Sequence, residues 1–118
     1  MQNKKILIVE DSKMMSKFLE DHLRGEGYDN LISASNGKEA IDMYRKESPD
    51  LILLDIIMPE MNGMEVLREI GKEAKIIVLS AIGQDSIISE AKAAGAVSYL
   101  VKPFDRNDII AKVLPFLK

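Results

Sequence analysis

Four short apolar runs, rich in β-branched residues, limit what this chain can become. They are Ile6 to Val9, Leu51 to Leu54, Ile76 to Leu79 and Tyr99 to Val101. Consecutive apolar positions leave no polar face, so each run reads as a strand covered on both sides. A fifth run, Leu31 to Ala34, is weaker and reads as an edge strand. Between the runs, apolar residues recur at helical spacing. The first such segment carries Met15, Phe18, Leu19 and Leu23, and the last carries Ile109, Ile110, Val113 and Leu114.

Start and stop signals agree with this division. Asn36 with Glu39 and Asn62 with Glu65 match an Asn-x-x-Glu form of the capping box. Asp105 is placed to cap the last helix, and Gly25 and Gly95 stand where left-handed helix ends are expected. Pro115 is expected to end or kink that last helix. Five strands alternating with five helices make an α/β fold with a parallel sheet. Right-handed crossovers leave few strand orders. The flavodoxin-like, doubly wound order 2-1-3-4-5 suits a chain of 118 residues. Residues 1–118 are expected to form one domain.

Composition removes several classes of function. The net charge of −3, with cations scattered among acids, provides no basic footprint for nucleic acid. No apolar run has the length of a membrane span, and the start, MQNKKILIVE, lacks a signal peptide's apolar region and cleavage site. With no cysteine there is neither a disulfide framework nor a thiolate metal site. A monomeric cytoplasmic protein that signals through protein partners is the expectation.

Chemistry concentrates just beyond the strand ends. Glu10 and Asp11 come after the first strand, Asp55 after the third, Ser80 after the fourth and Lys102 after the fifth. In an open parallel sheet the carboxyl ends of the strands share one edge, where ligands bind. Any one of these residues alone is more often solvated decoration or a turn residue. Their common placement is the signal.

Two carboxylates about 4 Å apart repel by roughly 4 kcal/mol at an effective dielectric near 20. A divalent cation relieves that repulsion, and an all-oxygen site without cysteine suits Mg²⁺. A carboxylate can also act as a nucleophile toward phosphorus. A lysine and a metal stabilise charge on a transferring phosphoryl group, and the Ser80 hydroxyl could bond one of its oxygens.

Val9-Glu10-Asp11-Ser12, Asp55-Ile56-Ile57-Met58-Pro59-Glu60-Met61-Asn62-Gly63, Leu79-Ser80-Ala81 and Tyr99-Leu100-Val101-Lys102-Pro103-Phe104 together resemble the receiver domains of two-component response regulators. The resemblance spans about residues 4 to 117. The chemotaxis (CheY-like) member of that family has the same 2-1-3-4-5 strand order. The resemblance implies that Asp55 is the phosphoacceptor. It implies that Asp11, Asp55 and the backbone carbonyl of Ile57 bind Mg²⁺ directly, with Glu10 acting through a water. Lys102 and Ser80 would contact the phosphoryl group, Tyr99 would turn inward as Ser80 moves, and the Lys102–Pro103 bond would be cis. The phosphodonor would be a phosphohistidine on a sensor histidine kinase or phosphotransfer protein, or a small acyl phosphate. Glu10 stands where Asp is commonest in the family, and the stretch from Gly63 to Lys75 is short for it.

Other residues invite less. His22 is the sole histidine, and eleven residues of helix put it roughly 16 Å from Asp11. It reads as a boundary residue of that helix. Met43, Met58 and Met64 read as packing, while Met14 and Met15 divide between the sheet and solvent, where one could help dock a kinase domain. Tyr28 and Tyr44 read as packing residues with exposed hydroxyls. Ile57 and Ile82 lie two residues beyond Asp55 and Ser80, where the family places side chains beside the attacking water. Apolar groups there imply a long-lived phosphorylated form.

Three other functions compete. An aspartate-nucleophile phosphohydrolase needs a second Asp two residues after the nucleophile, a position held by Ile57. A flavin or nucleotide carrier needs a Gly/Ser/Thr-rich phosphate loop after the first strand, where Glu10-Asp11 stands instead. A receiver-shaped adaptor that signals without phosphorylation would not need the intact acid, hydroxyl and lysine set. Within the receiver reading, Ser80-Ala81-Ile82-Gly83-Gln84 resembles chemotaxis members. Their fourth helix, fifth strand and fifth helix would face a target such as a flagellar motor switch protein. The runner-up role is a phosphorelay intermediate.

Overall fold

A computed structural model describes residues 4–56, 63–81 and 85–117. The strands are β1 (Ile6–Val9), β2 (Leu31–Ala34), β3 (Leu51–Asp55), β4 (Ile76–Ser80) and β5 (Ser98–Val101). The helices are α1 (Lys13–Gly25), α2 (Gly37–Glu47), α3 (Gly63–Ile70), α4 (Asp85–Ala93) and α5 (Arg106–Lys112), with a 3₁₀ turn after them at Leu114–Leu117. All neighbouring strands are parallel, in the order β2-β1-β3-β4-β5. The weak run Leu31–Ala34 is indeed an edge.

Alternation along each strand divides the core into two layers. Leu7, Val9, Ile52, Leu54, Ile76, Val78 and Tyr99 pack with Ile41, Val66, Leu67, Ile70 and Ala91 of α2, α3 and α4. Ile6, Ile8, Leu51, Leu53, Ile77, Leu79 and Leu100 pack with Leu19 and Leu23 of α1, with Ile109 of α5 and with Val113 just after it. Every residue of β1, β3 and β4 is buried, which is why those runs carry no polar face.

Caps fix where the helices begin. Ser12 caps α1, its Oγ accepting from the Met15 N–H at 3.3 Å. Asp105 and Asp108 form a reciprocal capping box on α5, both bonds 3.0 Å. Asn36 accepts from the Glu39 N–H at 2.8 Å, but Glu39 returns its bond to the Ser35 N–H, so that box is shifted by one residue. Asn62 lies outside the described residues.

Several expectations are corrected. Gly25 is the last residue of α1, and the positive φ of +95° falls at Gly27. The Glu26 and Gly27 N–H groups first tighten onto the carbonyls of Leu23 and Arg24, which delays the left-handed residue. Gly95, with φ +121°, is left-handed as expected. Ile110 is exposed, because the stripe facing the sheet runs through Ile109 and Val113 and the next residue turns away. Tyr28 packs in the α1/α5 layer as expected, but at 3% exposure the residue is buried rather than open to solvent at its tip. Helix α5 ends before Pro115, which lies in the 3₁₀ turn.

Candidate functional site

Strand register assembles the site before any side chain is considered. Val9 pairs with Leu54, Asp55 with Leu79, and Ser80 with Val101. Glu10 therefore leaves the sheet beside Asp55, and Lys102 comes immediately beyond Ser80. The Lys102 N–H closes this rim with a 2.8 Å bond to the Ser80 carbonyl.

One carboxylate oxygen from each of Glu10, Asp11 and Asp55 lies within 4.8 Å of the others. Glu10 and Asp55 are each only 5% exposed, whereas Asp11 opens to solvent at the entrance to α1. Lys102 reaches across the rim, its Nζ 3.0 Å from Glu10 Oε2 and 3.5 Å from Asp55 Oδ2. Glu10 Oε1 accepts the Ser12 N–H at 3.2 Å. Burial pushes the Glu10 carboxyl above its ordinary value, opposed by the Lys102 hydrogen bond and reinforced by the Asp55 charge. One ammonium among three acids leaves the cluster short of positive charge.

The donor set fits a hard divalent cation. It contains oxygen and no sulfur or imidazole. Two oxygens bound directly to Mg²⁺ at about 2.1 Å lie no more than about 4.2 Å apart. Oxygens within 4.8 Å of one another are close enough to share one such cation, directly or through a bound water.

Ser80, 1% exposed, ends β4 on the alternation of Ile76 and Val78, which is the layer of α2, α3 and α4. Tyr99 is buried in the same layer. The Lys102–Pro103 peptide is cis. Phe104 beyond it is buried against Phe18 of α1, their ring centroids 6.0 Å apart. Ile57, Met58 and Ile82 lie outside the described residues. His22 stays away from the rim, its Nδ1 3.0 Å from the Phe18 carbonyl oxygen and its ring 4.3 Å from that of Phe18. Met14 is 84% exposed and Met15 packs against the core, which settles how that pair divides.

Two contributors escape a reading of the sequence. Ser12, visible there only as part of a motif, starts α1 and also supplies the N–H that holds Glu10. Gly63 presses the start of α3 against the end of β3: its N–H bonds the Ile56 carbonyl at 2.6 Å. A Cβ there would overlap Ile56 Cα and lie 2.5 Å from the Asp55 carbonyl oxygen. A glycine soon after an acid-bearing strand end was the available signal.

The profile of the family described as response regulator receiver domain matches residues 6–114. This chain belongs to that family. Receiver domains are signalling switches, and several relatives share nearly the full length of this one. Chemotaxis protein CheY of Thermotoga maritima is 43% identical over 110 residues, covering 91% of this chain and 92% of that protein. Sporulation initiation phosphotransferase F of Bacillus subtilis is 39% identical over 121 residues, covering 98% and 97%. The crystal structure of the CheX–CheY–BeF3–Mg²⁺ complex from Borrelia burgdorferi superposes on this receiver with a TM-score of 0.91 at 33% identity, covering 98% of this chain and 90% of that one. Among the described residues, no helix is long and apolar enough to cross a membrane.

Proposed function

We propose that this receiver accepts a phosphoryl group on Asp55 and passes the signal on by protein contact, in the manner of a chemotaxis regulator. The observation that carries the proposal is the meeting of Glu10, Asp11 and Asp55 with the Lys102 ammonium at one rim. An Asp55 oxygen attacks phosphorus as the bond to the donor breaks. With a phosphohistidine donor that bond is P–N, and the imidazole keeps the electron pair and takes up a proton. With an acyl phosphate it is P–O, and a carboxylate leaves.

Glu10, Asp11, Asp55 and the Ile57 carbonyl would hold Mg²⁺, whose charge offsets that of the phosphoryl oxygens. Lys102 exchanges its carboxylate partners for a phosphoryl oxygen, acting as a point charge. The Ser80 hydroxyl donates to another phosphoryl oxygen, and Tyr99 moves with Ser80 within their shared layer. A pocket lined by Glu10, Asp11, Lys13, Ser16, Ser33, Ala34, Ser35 and Glu39 opens on the β2 side of Glu10 and Asp11.

The kinase or phosphotransfer protein would supply the phosphoryl group, and a protein such as a flagellar motor switch component would receive the signal. The likeness to the Bacillus phosphotransferase supports a second reading, a relay intermediate. Partner capture with and without beryllofluoride, a phosphoryl mimic, decides between them. Capture of a motor-switch protein only with the mimic supports the chemotaxis role. Capture of a histidine phosphotransfer protein supports the relay.

A further inference from the structure

Helices α1 and α5 treat the N–H of their cap residue differently. In α5 the third helical residue, Asp108, accepts the Asp105 N–H at 3.0 Å and closes the capping box. The corresponding residue of α1 is Met15, whose thioether is a weak acceptor and whose side chain packs against the core. The Ser12 N–H therefore gets no reciprocal bond from its own helix. It donates instead to Glu10 Oε1, at 3.2 Å.

That donation divides the work of one carboxylate. Oε1 is held by the main chain, while Oε2 holds the Lys102 ammonium at 3.0 Å. The side chains of Glu10 and Lys102 are 1% and 20% exposed, so little water competes for their bond. A main-chain N–H at the start of a helix has no rotamer by which to move, whereas the ammonium ends a flexible four-carbon stem. Of the two partners of Glu10, the amide is the fixed one.

We propose that the Ser12 N–H is the anchor that sets where Lys102 stands, which makes Ser12 a positioning residue for phosphoryl transfer. The amide fixes Glu10, Glu10 fixes the ammonium, and the ammonium waits 3.5 Å from Asp55 before a donor arrives. When Lys102 turns to the phosphoryl group, the amide keeps the buried Glu10 carboxylate hydrogen-bonded. The anchor rests on the proposed phosphorylation of Asp55 and adds to it a main-chain group outside the charged set.

Two variants test the anchor from opposite directions. Ser12→Pro removes the N–H at a residue whose φ of −81° is close to that of proline. Its reference is Ser12→Ala, which loses the same cap hydroxyl and keeps the N–H. Met15→Gln gives α1 the reciprocal partner it lacks and draws the Ser12 N–H away from Glu10. Phosphorylation by acetyl phosphate with Mg²⁺ is followed by mass spectrometry, and the Ser12 amide proton by NMR without Mg²⁺.

Ser12→Pro should be phosphorylated on the order of tenfold more slowly than Ser12→Ala. A cap that served helix stability alone would slow the two alike, and equal rates would overturn the anchor. In Met15→Gln the Ser12 resonance should move and phosphorylation should slow together; a moved resonance at the native rate would also overturn it. If Ser12→Pro does not fold, Met15→Gln decides with one further comparison. The native Ser12 resonance should shift upfield in Glu10→Ala, and an unshifted resonance removes the bond on which the anchor depends. Failure of the native chain to take up phosphoryl overturns the phosphorylation reading and the anchor together, whereas uptake with equal rates in Ser12→Pro and Ser12→Ala overturns the anchor alone.

Discussion

Lys102 and Glu10, 92 residues apart in the chain, are joined by a 3.0 Å ion pair. The loop after the last strand thereby closes onto the end of the first, and the same ammonium lies 3.5 Å from Asp55. The lysine acts as a counter-charge to the acids and as a probe of their alignment. Substitutions at the rim and at the helix starts that support it perturb that arrangement one part at a time.

Lys102→Met leaves Glu10, whose side chain is only 1% exposed, without its counter-charge. Without Mg²⁺ the variant should lose about 1–3 kcal/mol of stability in urea unfolding. Phosphoryl incorporation should slow on the order of a hundredfold, since a group placed to stabilise transferring charge is gone. A variant as stable and as quickly phosphorylated as the native chain would contradict the assignment.

Glu10 gives a pH dependence of definite sign. Its folded pKa is raised above the ordinary 4.5, chiefly by burial. The protonated form is thus favoured in the fold, and that contribution is full below the unfolded value and lost as pH rises through the folded one. Compared with Glu10→Gln, the metal-free native chain should lose stability from about pH 4.5 upward until Glu10 is ionised. Mg²⁺ should act in the opposite sense, stabilising more as pH rises, because it requires the ionised carboxylates. Thermal unfolding of both proteins across this range provides the check, and a constant difference between them would count against the shift.

Gly63→Ala places a methyl group against the Ile56 backbone and the Asp55 carbonyl. Main chain cannot turn aside as a side chain can, so α3 or the end of β3 must move. A stability loss of about 1–3 kcal/mol is expected, with weaker Mg²⁺ binding by titration calorimetry. Unchanged Mg²⁺ affinity would show that this contact does not position Asp55.

Asp105→Ala removes the bond that the Asp105 carboxylate accepts from the Asp108 N–H, and keeps the one that the residue 105 N–H donates to Asp108. The cost should be about 1 kcal/mol in urea unfolding, with Mg²⁺ affinity preserved, because α5 supplies no carboxylate to the rim cluster. A loss of Mg²⁺ binding would mean that the cap also supports the placement of the acids at the rim.

Much of the fold was legible because its information is local. The strands β1, β3 and β4 are buried on both faces, so their apolar runs matched the structure to within a residue at each end. Asp105 was found because a cap needs only a side chain and an N–H three residues on. Failures came where distant packing chooses among local options. Nothing in Ile109-Ile110 says which isoleucine faces the sheet, and Gly25 and Gly27 offer two nearby places for one left-handed turn. The rim residues were readable from strand ends alone, since parallel register carries them to one edge. The tight seating of Gly63 on β3 and of Gly71 on Gly95 was not, because contact between remote backbones leaves no periodic trace.

Mass spectrometry after incubation with acetyl phosphate tests the central claim most directly. The native chain with Mg²⁺ should gain a single phosphoryl group, and it should gain essentially none when Mg²⁺ is chelated or in Asp55→Asn. Equal labelling of Asp55→Asn, or labelling that ignores Mg²⁺, would contradict the assignment of Asp55 as a metal-assisted phosphoacceptor.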